Sequence, residues 1–316
     1  MLVQIGSVRY VVHVRFGITL GADQPRYASL ARQAEDLGFD QVACGEHLFF
    51  HGPTPNSFVG LAAAAGATER IRLLSSLALV PLYPPALLAK LVSSLDQVSG
   101  GRFDFGVGVG GEYPPEFTAA GVDVRLRGAR TDEALDLLPA LLAGEVVRYS
   151  GRFAHIPNLA LRPGSVQHRV PVWVGGRRPA AQRRAGRFGD VWMPYLCTPE
   201  QLATGLVTAD AAAVACGRPP GSVTGAVFAW GAVGSDGARA RQRAIDVVSR
   251  IYQQDFSTRA EDYLLAGDVE AVLARLSQYA EAGCEHLVFC PAGGAAEWAD
   301  MAELFAAEVL PVAKTW

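Results

Sequence analysis

The chain has 316 residues, 50% hydrophobic and 19% charged, with 28 Lys and Arg against 31 Asp and Glu for a formal net charge of -3. That composition excludes a disordered chain. With no basic excess to drive counterion release, it also argues against general nucleic-acid or anionic-membrane binding. A chain of this mass buries about 74% of its unfolded surface, enough for a core that needs no disulfide or metal staple. At this length the choice lies between two medium domains and one large single-core architecture such as a (β/α)8 barrel. Five scattered cysteines, Cys44, Cys197, Cys216, Cys284 and Cys290, contain no CxxC pair and read as reduced thiols of a cytosolic protein. The N-terminus has no charged n-region or cleavage site, and the longest apolar run, residues 77–82, is too short to span a bilayer.

Along the chain one unit recurs eight times: a short β-branched or aromatic run, a Gly/Pro-rich loop, and a helix with apolar residues at three- and four-residue spacing. The first strand is predicted at residues 16–20, followed by a helix with Tyr27, Leu30, Ala31, Ala34 and Leu37 on one face and Gly38 as its stop. Strands two to four fall at residues 41–44, 71–77 and 103–109, the last two separated by a helix over 85–99. Strands five and six fall at 172–174 and 191–194. Thr198-Pro-Glu-Gln201 is a capping box with Pro at the first helical position. Strand seven is predicted at 223–233. Asp268 then caps a helix with Val269, Val272, Leu273, Leu276 and Ala280 on one face, and strand eight follows at 286–289. A final helix carries Met301, Leu304, Phe305 and Leu310. Two segments fall outside the count: 145–168, a small hairpin turning at Gly151, and 237–266, an extra helical stretch. Eight units without a composition break favour a single TIM barrel over residues 15–316, behind an N-terminal extension of residues 1–14 across the barrel bottom, over a doubly wound sheet.

Barrel chemistry sits on the loops after the strand C-termini. After strand two, Glu46 and His47 place a carboxylate beside an imidazole, suited to acid/base work or to hydrogen bonding a heterocycle, or equally to anchoring the loop. A metal site from Glu46, His47 and His51 lacks any HExxH or paired-cysteine support, and Cys44 reads as core rather than as a nucleophile beside His47. After strand four, Gly106, Gly108 and Gly111 formally satisfy GxGxxG, but Glu112-Tyr-Pro-Pro stands where a helix N-terminus would receive a pyrophosphate. The glycines, Gly108 and Gly110 among them, read instead as room for a flat ring against the backbone, with Glu112 beside it or simply solvated. After strand five, Gly175-Gly176-Arg177-Arg178-Pro179 outlines an anion site leading into a helix, with Arg183, Arg184 and Arg187 on its solvated face. Phe49, Phe50, Phe58, Tyr83, Tyr113 and Tyr195 fall near strand C-termini, either lining a pocket for an apolar or aromatic substrate or packing the loops.

Residues 15–316 resemble the bacterial luciferase-like superfamily of flavin- or deazaflavin-dependent oxidoreductases. The segments that carry it are LARQAEDLGFDQVACGEHLFF, RIRLLSSLALVPLYPPALLAKLVSSLDQVSGGRFDFGVGVGGEYPPEF, RGARTDEALDLLPALLAGE and PVWVGGRRPAAQRRAGRFGDVW. The resemblance implies a flavin at the strand C-termini, its phosphate held by Gly175, Gly176 and Arg177, and a non-proline cis peptide at Ser76-Leu77 against the ring. It further implies His47 and Glu112 as acid/base groups, and a homodimer, to which the Ala-rich residues 61–67 would contribute. Glu46 stands where many relatives have Asp, and Tyr83-Pro84 where many have Arg-His or Arg-Asn. Two chemistries on a small organic substrate follow from the resemblance. One is hydride transfer with the 5-deazaflavin coenzyme F-420, which the GEHLFF and GGEYPPEF loops favour. The other is monooxygenation with FMN supplied reduced by a partner reductase. From other classes stand a catalytically silent flavin-binding barrel and a metal-dependent hydrolase barrel.

Overall fold

The computed structural model describes residues 2–5, 8–11, 14–21 and 26–316, the first two stretches as backbone only. Strands β1 (Leu2–Ile5) and β2 (Val8–Val11) pair antiparallel ahead of the barrel. The predicted extension over residues 1–14 includes 1, 6–7 and 12–13, which lie outside the described residues.

In chain order, the first half of the barrel runs β3 (Arg15–Thr19), α1 (Tyr27–Asp36), β4 (Gln41–Cys44), α2 (Ser57–Ala65), β5 (Arg72–Ser75), β6 (Ala78–Leu79), α3 (Pro85–Val98) and β7 (Phe103–Gly108). A short α4 (Pro114–Ala119), a long α5 (Arg127–Leu142) and the antiparallel hairpin β8 (Val146–Ser150) and β9 (His155–Ala160) follow. The second half runs β10 (Val172–Gly175), α6 (Pro179–Phe188), β11 (Val191–Met193), α7 (Pro199–Ala215), β12 (Thr224–Val233), α8 (Gly237–Tyr252), α9 (Ala260–Tyr263), β13 (Leu265–Gly267), α10 (Val269–Glu281), β14 (Cys284–Pro291), α11 (Ala295–Leu304) and α12 (Leu310–Ala313). A π-helical turn, Phe305–Val309, joins the last two.

Eight strands, β3, β4, β5, β7, β10, β11, β12 and β14, pair in parallel, and β14 against β3 closes the ring. The period-2 alternation of each strand divides the apolar residues into two cores. Ala43, Leu74, Trp173, Val191, Met193, Ala226 and Val288 fill the barrel interior, whereas their outward neighbours, Val42, Leu73, Val174, Trp192, Val227 and Leu287 among them, pack beneath the helices. At the base the interior becomes polar: Asp104 accepts from Gln41 Nε2 at 2.7 Å and from Arg72 Nη2 at 2.6 Å.

The predicted capping box is formed, with Gln201 N donating to Thr198 Oγ1 and Thr198 N to Gln201 Oε1. Two expectations need correction. The third predicted strand stops at Ser75, and pairing to β7 resumes only at Ala78, after a cis Ser76-Leu77 bond at the position the resemblance implied. The stretch 237–266 is not wholly helical. Because β12 projects past its pairing with β11, the exposed edge at Gly231–Val233 is covered by β13. In residues 61–67, Leu61, Ala64 and Ala65 are buried within the protomer, leaving Ala62 and Ala63 on the outer face.

Trp173 is 2% exposed and the largest side chain of the interior core. Trp173→Ala is therefore expected to lower the unfolding free energy by about 3–5 kcal/mol, read as a fall in the denaturant midpoint.

Candidate active site

The floor of the barrel mouth is built by one side chain and three glycines. A Cβ added at Gly106 would overlap the Ser75 carbonyl, one at Gly108 would lie 3.1 Å from Leu77 Cβ, and one at Gly175 would overlap Leu77 Cδ1. These glycines admit the Ser75–Leu77 backbone and the Leu77 side chain. At Gly108 the lack of a side chain is thus already required by Leu77. Gly110 and Gly111, at φ 60° and 106°, turn the chain away from β7 in the left-handed region, and α4 then starts with Pro114 and Pro115 in its first turn.

One wall of the mouth is held by two buried carboxylates. Glu46, 6% exposed, accepts five hydrogen bonds: from Asn56 Nδ2 (3.1 Å), Ser57 N (3.3 Å), Ser57 Oγ (3.0 Å), Leu79 N (3.1 Å) and Tyr83 Oη (2.9 Å). Its partners are therefore not His47, and the expected Glu46–His47 acid/base pair does not form. Glu46 instead ties the end of β4 to the start of α2 and to β6. The two departures from the family pattern, Glu46 and Tyr83, thus meet in one hydrogen bond. Burial and the Glu46 charge push the Tyr83 phenol pKa up, which suits a hydroxyl that donates to Glu46 while accepting from Asn56 Nδ2 at 3.1 Å.

His47 is paired with Glu116, a residue the sequence reading missed. Its Nδ1 lies 3.2 and 3.1 Å from the two carboxylate oxygens, and Leu48 N donates to the same group at 3.2 Å. Glu116 sits in the first turn of α4, 69 residues from His47, and no local spacing in the sequence links the two. The His47 ring stacks on Phe50 at 4.2 Å, and Tyr113 meets the edges of Phe50 and His51. Phe49 stands 57% exposed on the rim, and Phe58 is a core residue against Phe103.

Across the mouth, Tyr195 donates to Glu112 Oε1, stacks on Tyr252 at 6.2 Å, and lies beneath the Arg177 guanidinium at 4.9 Å. Trp230 Nε1 donates to Tyr252 Oη at 3.1 Å. Trp230 continues the inward set Ala226 and Phe228 by period 2, so strand alternation could have found it. Solvent reaches Glu112, yet the surrounding walls desolvate its carboxylate enough to raise its pKa, against the lowering pull of His47 and Arg177.

The loop after β10 presents Gly176 at φ 105°, its carbonyl held by Trp192 Nε1, then Arg177, whose Nη1 donates to Leu196 O, and Pro179 opening α6. Arg184 and Arg187 are not a free solvated face: they pair with Asp132 at 2.6 Å and Asp136 at 2.8 Å on α5. Ser76 Oγ, at the floor, is buried without a hydrogen-bond partner among the described residues. No group of three or more His, Cys, Asp or Glu able to hold a metal ion occurs among the described residues.

A family model described as luciferase-like monooxygenase matches residues 8–286. The chain belongs to this family. Membership makes it an oxidoreductase. A Mycobacterium tuberculosis protein of uncharacterised function is 35% identical over 196 residues, 56% of this chain and 67% of that protein. An F420-dependent glucose-6-phosphate dehydrogenase of Nakamurella multipartita is 33% identical over 191 residues, 56% of this chain and only 55% of the relative. Among solved structures, monooxygenase RslO1 from Streptomyces bottropensis superposes with a TM-score of 0.83 at 27% identity, covering 95% of this chain and 99% of that one.

Cys44, Cys197 and Cys290 are buried with thiol pKa values pushed up to about 12, Cys284 is raised likewise, and Cys216 is exposed. A thiol reagent is expected to modify one cysteine in the native protein and five after denaturation. Rapid native labelling of Cys44 would restore the nucleophile reading.

Proposed function

We propose that this enzyme binds a 5-deazaflavin coenzyme at the barrel mouth and moves a hydride between it and a small organic substrate. The observation that supports the reading is that His47 and Glu112, two groups able to carry a proton, lie on loops of the mouth near enough for the imidazole to act on the carboxylate. Hydride delivery to a carbonyl carbon leaves an alkoxide that needs a proton, and a carboxyl group with a raised pKa supplies one at a pH where an ordinary carboxyl group has lost it. The residues fit the coenzyme: the unpartnered Ser76 Oγ offers a hydrogen bond to a heterocycle at the floor, and the loop of Gly175, Gly176 and Arg177 offers backbone amides and a guanidinium to its phosphate. When bound, the reduced coenzyme supplies the hydride. Arg177 would hold the anionic end, Leu77 and the backbone of Ser76 would support the ring, and Glu112 would transfer the proton at its carboxyl oxygen. Tyr195, Tyr252 and Trp230 on one side, with Phe50 and Tyr113 on the other, suit an apolar or aromatic substrate.

A second reading, FMN-dependent monooxygenation with reduced flavin from a separate reductase, is favoured by the similarity to RslO1, named as a monooxygenase.

Titrating the protein with the deazaflavin and with FMN, followed by fluorescence quenching, separates the two. Micromolar affinity for the deazaflavin alone is expected. Arg177→Ala should weaken it about 10-fold, by an amount that shrinks at high salt. Affinity for FMN alone would move the assignment to the second reading, and binding of neither would overturn both.

The raised Glu112 pKa carries a sign. The protonated form survives to higher pH than in a free carboxyl group, so carbonyl reduction should fall as pH rises through that value. In Glu112→Gln this limb should vanish, together with about 100-fold in kcat, and an unchanged pH profile would remove Glu112 from the chemistry.

A further inference from the structure

We propose that Glu116 is a positioning residue for His47: it accepts the Nδ1 proton, fixing the imidazole so that Nε2 is the atom that exchanges protons at the mouth. This rests on the reading of His47 as a proton-handling group and adds which ring nitrogen acts and what holds it.

Glu116 is fully buried, and a buried carboxylate has to be satisfied by donors. Among the described residues two meet it, Leu48 N–H at 3.2 Å to Oε2 and the His47 ring, whose Nδ1 lies 3.1 and 3.2 Å from the two oxygens. A carboxylate only accepts, so the nitrogen facing it carries the proton, and in the neutral ring Nε2 is left as an acceptor. The second rotational freedom of the ring is removed by Phe50, stacked on it at 4.2 Å and 19°. The His47 side chain is 18% exposed, and with Nδ1 turned onto a carboxylate that solvent does not reach, the exposed part is the opposite edge. Glu112 lies close enough for His47 to pull its pKa down.

The two carboxylates of the GGEYPPEF loop therefore have different duties. Glu112 is bonded to Tyr195 in the mouth and reached by solvent, whereas Glu116 is sealed behind the imidazole, out of solvent's reach. Backbone geometry enforces the division. Gly110 and Gly111 turn the chain out of β7, leaving Glu112 on the rim, and Pro114 and Pro115 start α4 so that its first turn brings Glu116 back under Leu48. The same bond gives the loop after β4 a second anchor, opposite the one made by Glu46.

The tautomer can be read on the protein alone. In imidazole nitrogen-15 spectra of histidine-labelled protein without coenzyme or substrate, the His47 signals, assigned by their loss in His47→Gln, are expected to show a protonated Nδ1 and an unprotonated Nε2 once the ring is neutral. A wild-type ring protonated on Nε2 would overturn the proposal, with no variant needed. In Glu116→Gln the Nδ1–H form should lose its dominance. Where a carbonyl substrate is turned over, kcat should fall about 100-fold with KM and deazaflavin affinity within about 3-fold, and Glu116→Gln should add no further loss in the His47→Gln background. Additive losses, or a fall in coenzyme affinity matching the fall in kcat, would show that Glu116 merely supports the loop. Failure of deazaflavin to bind would overturn the proposed function and leave the tautomer result standing.

Discussion

Two carboxylates that have left water fix the chemistry of this barrel. Glu46 and Glu116 lie on either side of the loop after β4, and each has to be met by donors because an unpaired buried charge costs several kcal/mol. Glu46 recruits the start of α2, the backbone of β6 and the Tyr83 hydroxyl; Glu116 recruits Leu48 and His47. The loop between them has no regular structure of its own. Its conformation follows from satisfying these two groups, and the orientation of His47 is a by-product of that requirement.

The floor of the mouth obeys a steric constraint of the same severity. Leu77 fills the space left by Gly108 and Gly175, and the Ser75 carbonyl fills that left by Gly106, so the three glycines are needed by the protein itself whatever ligand binds above them. What remains open to a ligand is the surface over Leu77 and Ser76, between an aromatic wall on His47, Phe50 and Tyr113 and another on Tyr195, Tyr252 and Trp230. Charge around that space is set close together: Tyr195 lies under the Arg177 guanidinium and donates to Glu112, and His47 and Arg177 both act on that carboxylate.

Much of the fold was legible because strand alternation and helix periodicity are local signals. Residues 41–44 emerged as a strand with the predicted bounds, and the Thr198 to Gln201 box formed both its hydrogen bonds. The break at Ser76-Leu77 carries no periodic signature, and only the family resemblance located it. In the site, single residues were found and their partners were not. Glu46 and His47 are adjacent in sequence, which invited pairing them. At a strand end, however, successive side chains diverge, so Glu46 turns to α2 and His47 to α4. Glu116 is 69 residues from His47, and Tyr195 is 83 from Glu112. Contacts of that separation are fixed by barrel closure, which no window of sequence contains. The pairing of Glu46 with Tyr83 shows the same limit. As isolated departures from the family pattern they were unexplained, and in three dimensions one supplies the proton that the other accepts.

The proposed function places the coenzyme at the mouth, with Arg177 at its phosphate and His47 and Glu112 beside its reacting ring. A crystal structure of the protein soaked with the oxidised deazaflavin tests this most directly. Ring density resting on Ser76 and Leu77, with phosphate density at Gly176 and Arg177, is the predicted result. Coenzyme density elsewhere, such as at the polar base of the barrel beside Arg72 and Asp104, with the mouth left to solvent, would contradict it.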